Sequence, residues 1–225
     1  MFKKGIYLIR LENFSIKSNT GKNLIKDVNL FIPSGSTILI IGKHSIGKTM
    51  LARVIGLIDK PAGGNLYLLG KNISRLSRSE LSSIHNEIGI VFQENYFINE
   101  FDLETNIIFP LILKNEKKND IAQALRELLP WLSLEKVIKE KVCKLSMAEL
   151  KLAQFARAII GRPRILLLDS FFKDVDNTIK KKINYLILAL KKIGTTVIVF
   201  GESPDDSSIN FNKKYEIYNK NLEER

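Results

Sequence analysis

Apolar residues recur along the chain both as continuous runs and in alternation with polar residues, and both patterns predict β-strands. Continuous runs occupy residues 38–41, 88–92, 165–169 and 195–200. Strands with apolar side chains on both sides are typical of parallel sheets that are covered on both faces. Residues 6–16 and 24–32 alternate instead, and the turn at residues 19–22 predicts that they pair as antiparallel strands. A short strand is expected at residues 65–69 and a hairpin at residues 215–222.

Helical spacing of apolar residues follows the first continuous run. A helix is predicted from Lys48 to about Ile58, where residues 61–64 (Pro-Ala-Gly-Gly) stop it. Ser77 or Ser79 can cap a second helix, which continues to about residue 85. These two helices would flank the strand at residues 65–69.

The middle of the chain, residues 101–160, is expected to be mostly helical. Proline lacks the backbone N–H that a helix interior needs, so a break is predicted at Pro130. Another helix is expected to begin after Ser146, and a last amphipathic helix lies before Gly194. Helices therefore alternate with the continuous apolar runs.

The first continuous run leads directly into a loop that contains two glycines. Residues 42–49 are Gly-Lys-His-Ser-Ile-Gly-Lys-Thr, the G-x-x-x-x-G-K-[ST] pattern of a phosphate-binding P-loop. Glycines let backbone N–H groups turn toward phosphate oxygens, and the N-terminus of the following helix adds a positive dipole end. Lys48 would reach the β- and γ-phosphates, and the Thr49 hydroxyl would hold Mg²⁺. The alternative is a glycine-rich turn that binds no ligand.

Strands that alternate with helices predict an α/β fold. We expect a P-loop NTPase core with a mostly parallel sheet, an N-terminal antiparallel β subdomain and a helical insert. The chain, residues 1–225, is expected to form one domain, with the helical subdomain at about residues 95–160. Ligands bind beyond the carboxyl ends of parallel strands, where Gly42, Gln93, Asp169 and Gly201 would gather.

The composition is that of a globular protein, with 45% hydrophobic and 26% charged residues. No apolar run approaches the length that spans a bilayer, and the single cysteine, Cys143, excludes an internal disulfide. The N-terminal apolar stretch is cut short by Arg10, so a strand is expected there rather than a signal peptide. These features favour a cytoplasmic location.

The net charge of +11 suits nucleic acid, an anionic membrane surface or phosphate ligands. The lysines are scattered over several segments without interleaved aromatic residues. Solvated lysine-rich faces are therefore favoured over a dedicated polyanion site, and nucleic acid is an unlikely partner.

The order of these motifs resembles the ATP-binding subunits of ABC transporters along nearly the whole chain. The matching segments are the P-loop, residues 91–94 (Val-Phe-Gln-Glu) at the Q-loop, residues 144–150 (Lys-Leu-Ser-Met-Ala-Glu-Leu) at the signature, and residues 162–169, which end in Asp169. The short chain is most similar to the small ATPases of cell division or of lipoprotein release.

The resemblance implies that two ATP-binding subunits sandwich two ATP molecules and dock on transmembrane, permease-like subunits. Gln93 would sense the γ-phosphate, and Ser146 would contact the γ-phosphate of the partner's nucleotide. The implied ligands of Mg²⁺ are Thr49, Gln93 and Asp169. The implied nucleotide-binding residues are Gly42, Lys43, His44, Ser45, Ile46, Gly47, Lys48, Thr49, Met50, Gln93, Ser146 and Asp169.

Two positions that carry catalytic side chains in the family are replaced in this chain. Ser170 stands where a glutamate usually positions the attacking water, and Glu202 stands where a histidine usually follows the last strand. Losing a general base costs about 10²–10⁴ in rate. We therefore assign no catalytic residue from the sequence.

Other family positions are also changed. Met147 and Ala148 replace the paired glycines of the signature, and Ser45 replaces the central glycine of the P-loop. The aromatic residue that usually stacks on adenine aligns with Ser18; the alternative is a slight misalignment, in which Phe14 or Tyr7 stacks on the base instead.

The chain is thus expected to be the ATP-binding subunit of an ABC-type membrane complex, peripheral on the inner face of the cell membrane. It would bind MgATP at a dimer interface, with hydrolysis weak or lost. The alternative is a non-hydrolysing structural or regulatory subunit of a cell-division-type membrane complex.

Overall fold

The structure of the protein, a computed structural model, describes residues 7–18, 20–173, 175–203 and 209–225. Residue 6 of the first predicted strand and Asn19 of the first predicted turn lie outside the described residues. The helices are α1 (Lys48–Ile55), α2 (Arg78–His85), α3 (Leu103–Leu113), α4 (Lys118–Leu132), α5 (Met147–Ile159) and α6 (Asn177–Lys192). The strands are β1 (Tyr7–Lys17), β2 (Asn23–Pro33), β3 (Thr37–Ile41), β4 (Gly63–Leu68), β5 (Lys71–Asn72), β6 (Ile88–Val91), β7 (Ile165–Asp169), β8 (Thr196–Gly201), β9 (Lys213–Tyr218) and β10 (Asn221–Glu224).

A six-stranded sheet in the order β10-β9-β3-β8-β7-β6 forms the centre of the fold. Its neighbouring strands from β9 to β6 pair in parallel, whereas β10 pairs with β9 in the antiparallel direction. A second sheet, in the order β2-β1-β4-β5, is antiparallel throughout. Helices α3, α4 and α5 lie between β6 and β7 in the chain. The predicted P-loop NTPase core, antiparallel N-terminal sheet and helical insert are confirmed.

Both faces of the six-stranded sheet are buried at its central strands β3, β8 and β7. In β7, Ile165 and Leu167 pack into the core that the central sheet shares with the N-terminal sheet and α1. Leu166 and Leu168 point to the opposite core, which includes α5 and α6. All four side chains are fully buried, and full burial of such a side chain stabilises the fold by roughly 1.5–3 kcal/mol. This two-sided burial accounts for the continuous apolar runs in the sequence.

Two predicted helix ends are wrong. α4 continues through Pro130 to Leu132, whose side chain is fully buried, and Ser133 then closes the helix in a left-handed conformation with φ of 57°. α1 ends at Ile55, three residues before the predicted end, because Leu57 already has a left-handed φ of 61°. In both places the helix ends where a residue other than glycine adopts a positive φ. The residue type at these positions does not predict that conformation.

The helices within the described ranges are short or carry charged faces. None of them combines the length and the hydropathy that a membrane-spanning helix requires.

Phe14, which the sequence suggested as an adenine-stacking residue, is fully buried in the N-terminal core. Its ring is therefore unavailable to a nucleotide, and that expectation is wrong for Phe14. Register shifts occur on both sides of Phe14 in its pairing with β2, and Asn13 beside it has a left-handed φ of 46°. The bulged strand turns the ring into the core.

We predict that Phe14→Ala lowers the free energy of unfolding by about 3–5 kcal/mol, because it opens a cavity in a fully packed core. Urea denaturation of the purified protein measures this loss. Phe31→Ala on the adjacent strand is the matched control, since the Phe31 side chain is 38% exposed and its removal should cost less. Equal losses for the two variants would contradict the assignment of Phe14 to the core.

Candidate nucleotide-binding site

The parallel strands end side by side, so the residues that follow them meet at one edge of the sheet. Ile41 and Gly201, the last residues of β3 and β8, are paired in register. The P-loop follows β3, Glu202 follows β8, and Ser170 follows β7. Gln93 lies two residues beyond β6, the next strand in the sheet. The topology thus collects the predicted P-loop and the ends of three more strands.

Lys48 is held inside the loop to which it belongs. Its Nζ donates to the Gly42 carbonyl at 2.6 Å and to the Lys43 carbonyl at 2.9 Å, and its side chain is buried. Lys48 is also the first residue of α1. The loop therefore presents a fixed positive charge beside a helix N-terminus, and both features favour an anion there.

The backbone of the loop has the shape that a phosphate cradle needs. Gly47 has a φ of 116°, and a Cβ at this position would lie 3.0 Å from Cβ of Leu24. Ser45, where the family has glycine, adopts a left-handed φ of 57°. A residue with a side chain holds this conformation at a cost of roughly 1–2 kcal/mol. The serine substitution therefore leaves the fold of the loop in place.

Asp169 is almost completely buried at the end of β7, with 1% of its surface exposed. Burial raises the pKa of its carboxyl group, while a hydrogen bond with Thr49 and the charge of Lys48 act in the opposite direction. Its Oδ1 has no hydrogen-bond partner among the described residues. A buried carboxylate oxygen without a partner, next to a threonine hydroxyl, fits a divalent cation.

The protein supplies few ligands for such a cation. Within the described ranges, no cluster of three or more His, Cys, Asp or Glu side chains could hold a metal ion. Mg²⁺ at Thr49 and Asp169 would therefore need further oxygen ligands from phosphate groups and water, as is typical of nucleotide sites.

A cavity of about 260 Å³ lies between the P-loop and the neighbouring strand ends. Thr49, Gln93, Ser170 and Glu202 line it together with His44. Nδ1 of His44 lies 3.6 Å from Oε1 of Glu202, so the P-loop and the residue after β8 meet across this cavity. The sequence placed these two residues in separate motifs and did not indicate their contact.

Helix α5 holds the segment that follows Gln93. Nε2 of Gln154 donates to the Glu94 carbonyl at 2.9 Å, and Nη1 of Arg157 donates to the Tyr96 carbonyl at 2.6 Å. Arg157 also lies over the ring of Phe97 at 4.7 Å. Residues 153–158 (Ala-Gln-Phe-Ala-Arg-Ala) continue the resemblance to the family beyond the signature, but the sequence indicates no role for Gln154 or Arg157.

Ser146 caps α5 at the signature position. Its hydroxyl accepts a hydrogen bond from the Glu149 N–H at 3.3 Å and donates to the Glu149 carboxylate at 2.7 Å. The hydroxyl and backbone N–H of Ser146 lower the pKa of that carboxyl group. Met147, the first helical residue, is 67% exposed. A carboxylate and a large side chain thus crowd a helix N-terminus that would otherwise suit phosphate.

The predicted nucleotide-binding residues divide into two groups in the structure. Residues 42–50, Gln93 and Asp169 lie at the carboxyl edge of the sheet, whereas Ser146 does not line the cavity beside them.

Tyr7 does not reach the cavity either. It pairs with Pro33, and its ring packs on that of Phe31 with the two ring centroids 5.2 Å apart. These residues lie at the opposite end of β2 from Leu24, which lines the cavity. Nine residues of strand span about 30 Å, so Tyr7 cannot stack on a nucleotide in this cavity. The Ser18 hydroxyl is hydrogen-bonded to the Thr20 hydroxyl at 2.8 Å, and serine has no ring that could stack on adenine. Neither Phe14 nor Tyr7, the two alternatives for the adenine-stacking residue, is therefore placed to stack on a nucleotide in this cavity.

The fold and the loop define a nucleotide-binding protein of the P-loop NTPase class. The model of the ABC transporter family matches residues 25–173, which is more than half of the chain. The chain therefore belongs to the ABC transporter family of ATP-binding proteins.

The chain is similar to ATP-binding proteins with different transport tasks. The lipoprotein-releasing system ATP-binding protein LolD of Geobacter metallireducens is 30% identical over 182 residues, which cover 80% of this chain and 81% of LolD. The methionine import ATP-binding protein MetN of Clostridium acetobutylicum is 32% identical over 193 residues, which cover 85% of this chain. This chain covers only 60% of that MetN.

A solved structure resembles the fold over nearly its full length. The ATP-binding cassette MJ0796, in a dimeric post-hydrolysis state bound to ADP and Pi, matches with a TM-score of 0.87 at 26% identity. The match covers 96% of this chain and 97% of the cassette chain. The family resemblance predicted from the motifs is confirmed.

We predict that Asp169→Asn stabilises the nucleotide-free protein at neutral pH. Below the pKa of about 3.9 of an unfolded aspartate, the carboxyl group is neutral in both states and the variant gains nothing. As the pH rises through the raised pKa of folded Asp169, the wild type carries the cost of a buried charge and loses stability relative to the variant. Urea unfolding at several pH values, without nucleotide, measures the difference. A variant no more stable than the wild type at neutral pH would contradict this prediction.

Proposed function

We propose that this chain binds MgATP at a dimer interface and couples binding to transmembrane partners, as the ATP-binding subunit of an ABC-type complex. The observation that carries the proposal is the joint geometry of the P-loop and Asp169. Lys48 is fixed within the loop, and Asp169 contacts Thr49 while keeping one buried oxygen without a partner among the described residues. We propose that residues 1–225 act as one ATP-binding domain, with a helical subdomain at about residues 95–160.

The loop amides and Lys48 would bind the phosphates, and Thr49, Gln93 and Asp169 would hold Mg²⁺. The bound cation would neutralise phosphate charge next to Lys48. Binding requires few of the side chains that the chain has lost, because most of the cradle is backbone N–H groups. ATP binding is therefore retained in this proposal.

A second ATP-binding subunit would complete the site, as a homodimer or a heterodimer. Ser146 caps a helix N-terminus yet does not line the cavity of its own chain, which suits a contact to the partner's nucleotide. The dimeric state of the cassette MJ0796 supports this arrangement.

A permease-like membrane subunit would dock in a cleft beside Gln93. The cleft, of about 430 Å³, lies among β6, α3 and α5 and is lined by Phe92, Tyr96, Phe109 and Arg157 among others. α5 is hydrogen-bonded to the segment after Gln93. A partner in this cleft would therefore contact both the segment next to the nucleotide site and the signature helix. The protein would then be peripheral on the cytoplasmic, inner face of the cell membrane.

We propose no nucleic-acid function. Lysines of the surface make ion pairs with Glu104, Glu140 and Glu224, which supports solvated faces over a continuous phosphate-binding surface.

Hydrolysis would be slow in this subunit. Ser170 lacks a carboxylate at the position where the family carries its glutamate, and the signature helix presents Met147 and the Glu149 carboxylate. Loss of a general base alone costs about 10²–10⁴ in rate.

Lys48→Ala tests the binding proposal. The variant should bind MgATP about 10- to 100-fold more weakly, since charge-assisted hydrogen bonds to phosphate are lost. Filter binding of radiolabelled ATP to the purified protein measures the change, and Lys60→Ala is a charge-matched control on the exposed loop after α1. Absence of MgATP binding by the wild type, or equal binding by Lys48→Ala, would overturn the proposal.

The second candidate is a structural or regulatory subunit of a cell-division-type membrane complex that does not hydrolyse ATP. Ser170 and the exposed Met147 favour it, because both replace residues of the hydrolytic machinery. Expression of Lys48→Ala in a deletion strain separates the two functions. Rescue by this variant favours ATP-independent docking, whereas failure to rescue favours the ATP-dependent subunit.

Ser170→Glu tests the explanation for slow hydrolysis. The variant should hydrolyse ATP about tenfold or more faster than the wild type, because it restores a carboxylate that can orient water. Phosphate release under saturating MgATP measures the rate, and Ser170→Gln controls for side-chain size without the charge. Wild-type hydrolysis as fast as that of Ser170→Glu would show that Ser170 does not limit the reaction.

A further inference from the structure

His44 and Glu202 face each other across the cavity beside the P-loop. Nδ1 of His44 lies 3.6 Å from Oε1 of Glu202, with 82% and 48% of the two side chains exposed. His44 belongs to the loop after β3, and Glu202 is the first residue after β8. The pair therefore joins the phosphate-binding loop to the end of the adjacent strand.

Glu202 is well placed to act near Ser170. Both residues line the cavity of about 260 Å³ beside the P-loop and a second cavity of about 190 Å³ next to it. β7 and β8 are paired through Asp169 and Phe200, and neighbouring strands lie about 4.8 Å apart. A glutamate side chain can span that distance. The Glu202 carboxylate can therefore reach the space that a longer side chain at residue 170 would occupy.

Few other carboxylates compete for this role. Among the described residues that line the larger of these cavities, only Glu202 carries a carboxylate. Asp169 is buried, does not line this cavity and forms a hydrogen bond with Thr49.

We infer that Glu202, positioned by His44, is the carboxylate that activates water for the residual ATP hydrolysis of this chain. In this step the water oxygen bonds to the γ-phosphorus as the bond from that phosphorus to the β,γ-bridging oxygen breaks. One water proton passes to the Glu202 carboxylate, and ADP and phosphate are the products. The inference rests on the proposed function, because it requires MgATP in the P-loop.

His44 can offset the electrostatic repulsion between the Glu202 carboxylate and a bound γ-phosphate. A carboxylate near the γ-phosphate is repelled by it, since both groups are negative. The imidazole Nδ1 of His44, 3.6 Å from the carboxylate, can donate a hydrogen bond to it after a small movement of either exposed side chain. His44 is therefore a positioning residue in this mechanism, and Glu202 is the catalytic residue.

Single-turnover hydrolysis by the full chain tests Glu202. The purified protein, in excess over radiolabelled MgATP, is followed by phosphate release, while filter binding measures ATP affinity in parallel. Glu202→Gln should lower the rate about tenfold or more, with ATP affinity changed less than about twofold. Glu135→Gln, an exposed glutamate after α4, is the matched control and should leave both quantities unchanged.

Variants of His44 separate positioning from structural support. His44→Ala should lower the hydrolysis rate, while ATP affinity in the filter-binding assay changes less than about twofold, because a P-loop residue binds phosphate through its backbone N–H, which alanine keeps. His44→Gln should restore part of the rate, because its amide can still donate a hydrogen bond to the carboxylate. A rate unaffected by His44→Ala overturns the positioning role.

The remaining outcomes distinguish this inference from the proposed function. Hydrolysis by Glu202→Gln at the wild-type rate, or wild-type hydrolysis no faster than that of Lys48→Ala, overturns the role of Glu202 while ATP binding stands. If the wild type does not bind MgATP, the proposed function and this inference both fail.

Discussion

Burial of the central strands on both faces is the constraint on which the rest of the structure depends. Every side chain of β7 and β8 is buried, so polar groups can be reached by a ligand only where these strands end. The parallel register then aligns the ends of β3, β8 and β7 at one edge. Chemistry concentrates there because the interior of the sheet has no room for solvated groups.

The candidate site keeps charges where the fold would be more stable without them. Asp169 is buried deeply enough for its pKa to rise, and Lys48 is satisfied by carbonyl oxygens of its own loop. An unpaired buried charge is costly, so binding of a cation and phosphate groups can recover the free energy that these buried charges cost the fold. This trade-off links the stability of the core to the proposed binding of MgATP.

The changed motif residues alter side chains more than backbone geometry. Ser45 holds the left-handed conformation of the loop, and Ser146 still caps the signature helix. Ser170 donates its N–H to the Phe200 carbonyl at 2.9 Å, which fixes the end of β7 against β8. The backbone geometry of the loop and of the helix cap is thus kept, whereas residue 170 itself supplies no carboxylate.

The sequence by itself determined most strands, the P-loop and the fold class, because hydrophobic periodicity and glycine placement act over short stretches of chain, and the resemblance of its motifs indicated the family. It misplaced the end of α4 at Pro130, since packing and a left-handed Ser133 decide where that helix stops. It also suggested that Phe14 stacks on the nucleotide, although a β-bulge turns the ring into the core. Only the tertiary structure brought His44 to Glu202, because their contact depends on strand order, which pairs segments far apart in the chain.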